Sequence, residues 1–190
     1  LSTIARGRVI AAHGRHYVVG AESGERIVCF TRAKRSDAAC GDLVDYESIA
    51  PGQGVIAAIV PRRNLLSRSN GFRTKLLAAN LDAITIVVAT SPPWSDELLG
   101  RTLVAAESIE VEARIVLNKI DLADRRDQAR ATLAPYAAMG YAIDEASIRV
   151  DPAASAAILA PTMHGRTTLL VGQSGMGKSS LLNLMIPDAQ

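Results

Sequence analysis

The sequence predicts two domains of different class: an N-terminal all-β barrel, then an α/β domain built on a mostly parallel sheet. Three observations carry that division. Short β-type runs recur about every ten residues as far as Val60, and from Leu76 onward apolar runs alternate with longer Ala/Leu-rich segments of helical character. Near the end, Gly172-Gln173-Ser174-Gly175-Met176-Gly177-Lys178-Ser179-Ser180 spells G-x-x-x-x-G-K-(S/T) between a strand-like run, Thr167–Val171, and a helix-like one, Leu181–Met185.

The first five runs are Gly7–Ala11, His16–Val19, Arg26–Phe30, Leu43–Tyr46 and Val55–Val60, separated by turn formers such as Glu22-Ser23-Gly24-Glu25 and Pro51-Gly52-Gln53-Gly54. Five strands within residues 1–62 point to a small closed barrel, of OB type when a basic loop is present, with an SH3-like barrel as competitor. Between the third and fourth runs, Arg32, Lys34 and Arg35 place three cations in four positions, a pattern suited to phosphate contact. Residues 1–75 carry twelve Lys/Arg against six acids, or +6, whereas residues 76–190 sum to −4. RNA is therefore the expected partner of the barrel. Backbone contact is favoured over base readout, because Tyr17, Phe30 and Tyr46 can all be core and no stacking platform is evident. The polar, basic stretch 63–75 breaks the strand rhythm and reads as a linker.

Within 76–190, Ala83–Ala89 is a continuous apolar run suited to a central strand covered on both faces. Ser95 is placed to cap a helix reaching Ile109, with Asp96 and Glu97 in its first turn. Ala113–Leu117 is the next strand, and a helix over Asp124–Met139 stops at Gly140. Tyr141–Ile143 reads as a short strand, and Ala153–Leu159 as a helical turn or two before the strand that feeds the glycine-rich loop.

That loop has the composition of a phosphate cradle. Its glycines let consecutive N–H groups turn inward as an anion nest, and the following helix aims its positive end at the same place. Lys178 is expected at the β- and γ-phosphates, where it stabilises charge, and Ser179 is expected to ligate Mg²⁺. At the end of the second α/β strand stands Asn118-Lys119-Ile120-Asp121, the N-K-x-D pattern by which GTPases select guanine. Asp121 can accept from N1–H and the 2-amino group of guanine. Adenine offers an acceptor in place of the first and lacks the second, so a buried carboxylate facing it is left unpaired at a cost of several kcal/mol. Asn118 can bond the other edge of the base and brace the phosphate loop, and the Lys119 stem can lie over the ring. Alone the tetrapeptide is a weak signal. Joined to a phosphate loop in one domain it argues against an ATPase or kinase and for a guanine-nucleotide site.

Composition narrows the remaining classes. No apolar run approaches the roughly 20 residues needed to cross a bilayer, and Leu1–Arg6 shows no charged leader, so a cytoplasmic protein without membrane contact is expected. Cys29 and Cys40 make neither a C-x-x-C pair nor a disulfide framework, and read as a core thiol and a loop residue. His13, His16 and His164 read as surface or loop residues, leaving no metal cluster.

The order of the motifs is inverted relative to ordinary GTPases, for Asn118 precedes Gly172 by 54 positions. A site assembled from loops at one sheet edge survives joining the old termini and cutting elsewhere, so the domain reads as circularly permuted. With Gly41-Asp42-Leu43-Val44, Pro61-Arg62, Arg68 and Ala79-Asn80-Leu81-Asp82 added, the chain resembles the circularly permuted, ribosome small-subunit-dependent GTPases of the RsgA type. The resemblance covers the whole chain. It implies a monomeric GTP-hydrolysing protein that binds the small ribosomal subunit and its rRNA late in maturation, and it carries a base-flanking role onto Ser147. It also implies switch segments and a zinc domain beyond the phosphate loop. Neither a switch segment nor a zinc site is spelled before Gln190, so slow turnover by these residues alone is expected. The alternative is an RNA-binding module whose nucleotide site is structural or inactive.

Overall fold

The computed structural model describes residues 4–14, 16–31, 38–69, 71 and 74–186, and the chain divides into two compact units, Leu1–Leu81 and Asp82–Gln190. The basic loop residues Arg32, Lys34 and Arg35 lie outside the described residues.

In the first unit, β1 (Ile4–His13), β2 (His16–Ala21), β3 (Arg26–Thr31), β4 (Leu43–Ala50) and β5 (Gln53–Ile59) close into a barrel in the order β1-β2-β3-β5-β4. Only β3 and β5 pair in parallel; the other neighbours are antiparallel. This is the five-stranded OB arrangement. Register shifts at Val9/Ala11 in β1 and at Asp45/Tyr46 and Ser48/Ala50 in β4 bend the strands around the barrel. Period-two alternation then sends Val9, Tyr17, Val19, Ile27, Cys29, Val44, Tyr46 and Ile56 into the core. Phe30 falls on the opposite parity and faces solvent at 41% exposure, so of the three aromatics read as possible core residues only Tyr17 and Tyr46 are buried.

The stretch expected to be a linker has structure of its own. β6 (Leu65–Ser69) and β7 (Thr74–Ala79) pair antiparallel as a two-stranded sheet. Sequence periodicity misses it because only Leu66 in β6 is buried, so there is no apolar alternation to see. A buried clasp fixes this end of the unit. The Asp42 carboxylate, 0% exposed, takes two 2.7 Å bonds from the Arg62 guanidinium and one of 2.8 Å from Ala39 N–H. Asn80 Nδ2 donates to the Gly41 carbonyl at 3.1 Å, and Arg63 N–H donates to Asn80 Oδ1 at 2.9 Å. Gly41 sits at φ 93°, and a Cβ there would collide with the Ala79 carbonyl, so no other residue fits this crossing. The motif residues around 41, 62 and 80 are thus one polar knot.

In the second unit, β8 (Ala83–Ala89), β9 (Glu112–Asn118), β10 (Ala142–Ala146) and β11 (Thr168–Val171) form a wholly parallel sheet in the order β10-β9-β8-β11. Every residue of β8 is buried, as a central strand covered on both faces requires. α1 (Asp96–Ser108) is capped by Ser95, whose Oγ accepts from Leu98 N–H at 3.2 Å. α2 (Ala123–Ala138) ends before Gly140. α3 (Pro152–Met163) runs longer than the turn or two expected, with Asp151 as its cap and Pro152 in its first turn. It packs with α4 (Lys178–Met185), and Leu159 and Leu181 bury against Val87, Ala89 and Val116. The parallel order sends the carboxyl ends of β8, β9 and β10 and the loop after β11 to one edge, where open α/β sheets bind ligands. No helix among the described residues is long and apolar enough to cross a membrane.

Candidate functional site

A cavity of about 700 Å³ opens at that edge. Asn118, Lys119 and Asp121 line it from the end of β9, and Ser174, Gly175, Gly177, Lys178, Ser179 and Ser180 line it from the loop and first turn of α4. Two stretches 54 positions apart in the sequence therefore share one wall.

Asn118 holds them together. It is 2% exposed, and its Nδ2 donates to the Met176 carbonyl at 3.0 Å. Its Oδ1 accepts from Lys119 N–H at 2.8 Å and from Ile148 N–H at 3.2 Å. A side-chain amide has two donor hydrogens and two acceptor sites. Three of those four are committed to protein, which leaves one N–H to meet a base. Gly177 is what lets the amide approach: at φ 98° it caps α4 in the left-handed region, and a Cβ there would occupy the place of Asn118 Nδ2. Met176, between the glycines, is buried in the core beside Ile148 and Leu181 and fastens the loop from beneath.

The neighbouring residues are placed by backbone bonds. Lys119 adopts φ 62°, uncommon for a residue with a side chain. Thr90 Oγ1 donates to its carbonyl at 2.8 Å, and its own Nζ donates to the Ser91 carbonyl at 2.7 Å. Ile120 N–H donates to the Ala146 carbonyl, tying the tetrapeptide to the end of β10. Asp121 N–H donates to Ser147 Oγ at 3.1 Å, and among the described residues nothing bonds to or pairs with the Asp121 carboxylate. Ser147 does not line the cavity. It fixes Asp121 from behind, and its N–H donates in turn to Ser155 Oγ.

On the phosphate side, Lys178 Nζ donates to the Gln173 carbonyl at 2.7 Å and so lies along the loop. Gln173 Oε1 accepts from Ser95 N–H at 2.6 Å, locking the loop to the cap of α1. The first turn of α4 leaves N–H groups without intrahelical partners, aimed into the cavity with the positive end of the helix dipole. Ser179 is exposed in this wall. One hydroxyl, completed by phosphate oxygens and water, is a donor set that Mg²⁺ accepts, so the residues fit that ion. Among the described residues no cluster of His, Cys, Asp or Glu is placed to hold a metal by itself.

Sequence reasoning missed the third wall, Ile148, Arg149 and Val150. The only signal was the base-flanking role that the family resemblance carries onto the adjacent Ser147. This turn is rigid, since Val150 and Asp151 N–H both donate to the Ser147 carbonyl. Arg149 is exposed at its tip and has no ion pair among the described residues, in contrast to Arg114, Arg130 and Arg166, which pair with Asp144, Glu145 and Glu112. The Arg130 bond holds the Glu145 carboxyl below its ordinary value. Among the described residues, none of the four charges that line the cavity, Lys119, Asp121, Arg149 and Lys178, takes part in an ion pair.

A family model described as RsgA GTPase matches residues 59–190. Curated proteins named small ribosomal subunit biogenesis GTPase RsgA, from Paraburkholderia xenovorans (strain LB400) and Ralstonia nicotianae, are each 54% identical over 190 and 191 residues, which is 100% of this chain and 60% of either relative. The chain thus spans about 60% of the length of these relatives. Among solved structures, YjeQ from Thermotoga maritima is 32% identical with a TM-score of 0.77, covering 99% of this chain and 67% of that one. YloQ, a circularly permuted GTPase, is 30% identical with a TM-score of 0.71, covering 97% and 65%.

Proposed function

The chain belongs to the RsgA GTPase family, and on that premise we propose that its α/β unit binds GTP and GDP with Mg²⁺ and hydrolyses the triphosphate in the service of small-ribosomal-subunit maturation, with rRNA as a contact of the barrel. The observation that carries this reading is Asn118, one buried amide bonded at once to the base-side loop, to the phosphate loop and to the Ile148 turn. Such a brace ties recognition of the base to the seating of the phosphates.

Each residue then has a task. Asp121, with its amide fixed by Ser147 and its carboxylate free, accepts from the two donors on guanine. The Lys119 stem covers one face of the ring, and the remaining Nδ2 hydrogen of Asn118 meets the acceptor on the other edge. Lys178 leaves the Gln173 carbonyl for the β- and γ-phosphates and offsets charge there as the terminal phosphoryl leaves. Ser179 would hold Mg²⁺, which when bound would help offset the charge of the phosphates. The curated relatives carry small ribosomal subunit biogenesis in their name, which supports the same destination for this protein.

Asp121→Asn tests the base assignment. An amide there accepts from N1–H but meets the 2-amino group of guanine with its own N–H, so GDP affinity falls roughly a hundredfold or more. Xanthosine diphosphate, with a carbonyl at that position, gains in its place. Calorimetric titration of both nucleotides reads this directly, and an unchanged preference for GDP removes Asp121 from the base site.

A further inference from the structure

The outer face of β1, β2 and β3 is ordered in rows across the strands. His13 pairs with His16, and His16 with Phe30. The ring centroids are 5.3 Å apart in the first pair and 6.4 Å in the second. One step along lie Ala11, Val18 and Val28, with Ile10 bulged beside them, and beyond those Gly20 is flanked by Arg8 and Arg26. Phe30 is 41% exposed, Ile10 46% and Val28 36%, so an aromatic row, an aliphatic row and a cationic row face solvent together. The opposite parity, Tyr17 with Cys29 and Val19 with Ile27, is the barrel core, so packing does not account for an outward Phe30. From Phe30 to Arg26 is four residues of strand, roughly 14 Å.

We infer that this face is a stacking platform for unpaired RNA bases. It rests on the reading of RNA as the contact of the barrel, and it replaces the expected backbone-only mode with one in which bases lie on the His13, His16 and Phe30 rings. The occupant follows from charge and shape. An apolar protein surface would gain nothing from the exposed flanking cations, Arg26 and Arg8, the second of which spends one N–H on the Gly41 carbonyl at 3.1 Å and keeps its charge and other donors. A single strand carries both parts the face offers to meet: flat rings for the aromatic row and phosphates for the cationic one. Duplex RNA hides its base faces and does not fit. Stacking of this kind tolerates sequence, because every base has a π-face.

The experiment titrates the chain with three labelled strands of equal length: a single-stranded oligoribonucleotide, its abasic counterpart and a duplex. The wild type binds the single strand at least tenfold more tightly than the abasic strand. His16→Ala with Phe30→Ala brings the two to the same affinity while leaving the salt slope unchanged, since no phosphate contact is removed. Phe30→Trp retains the preference, which separates loss of stacking from loss of fold. Equal binding of the single and abasic strands by the wild type overturns the platform and leaves RNA contact standing. No binding to any strand overturns the RNA reading itself and the platform with it. If the double variant binds every strand normally but binds purified small subunits weakly, the face meets protein and the inference falls.

Discussion

Asn118 is 2% exposed and commits three of its four hydrogen-bonding positions to the loops around it, whereas Phe30 is 41% exposed and stands on a face ordered only by cross-strand rows. The cavity of the α/β unit is held by directed bonds between named atoms. The barrel face is held by strand parity, and its side chains are free to accept any flat partner. A site built the first way selects one base, and a site built the second way is tolerant. Removing a residue should accordingly be severe and specific in the cavity, and graded on the barrel.

The largest effect is expected from Asn118→Ala. It strips the Met176 carbonyl and the N–H groups of Lys119 and Ile148 of their partners, at about 1–3 kcal/mol for each group left unsatisfied. Thermal unfolding should show a loss of roughly 3–9 kcal/mol in the α/β unit, the sum over the three groups, with GDP affinity down roughly a hundredfold. Retention of affinity would mean that the base and phosphate loops are seated independently.

Next comes Arg62→Ala in the barrel unit. It leaves the Asp42 carboxylate buried with only the Ala39 amide among the partners of the clasp, and breaking a buried pair costs about 3–5 kcal/mol. Denaturant unfolding followed by calorimetry should show the barrel destabilised with GDP affinity unchanged. A parallel loss of GDP affinity would show that the two regions are not separable in the way proposed.

A smaller effect distinguishes the barrel interior from its rim. Burial pushes the Cys29 thiol up to about 11, while Cys40 is half-buried. A raised value keeps Cys29 protonated and unreactive through neutral pH, with thiolate appearing only as pH climbs towards that figure. Thiol labelling at pH 8 should modify Cys40 first, and Cys29 roughly a hundredfold more slowly. Equal rates would mean that the barrel opens readily.

How much was legible in the sequence follows the same division. All five barrel strands and the alternating α/β pattern could be read from apolar periodicity, and the walls at Asn118–Asp121 and at the phosphate loop from fixed residue spacings that the chemistry demands. The β6–β7 hairpin could not, since its strands bury Leu66, Ala78 and Ala79 and otherwise face solvent. Nor could the outward Phe30. The run Ile27-Val28-Cys29-Phe30 is apolar on both faces, and only closure of the barrel decides which parity is inside. The Arg149 wall was hidden for a different reason: a cation on a turn carries no pattern, and its place beside the cavity appears only when the turn is seen bonded to Asn118.

The central claim is that one cavity reads guanine through Asp121 and phosphates through the loop at 172–180. Calorimetric titration of the unaltered chain with GDP and with ADP under identical Mg²⁺ tests it most directly. GDP is expected to bind on the order of a thousandfold more tightly, the discrimination available when a mismatched base leaves buried polar groups unpaired. Comparable affinities for the two nucleotides, or binding of neither, would contradict the account.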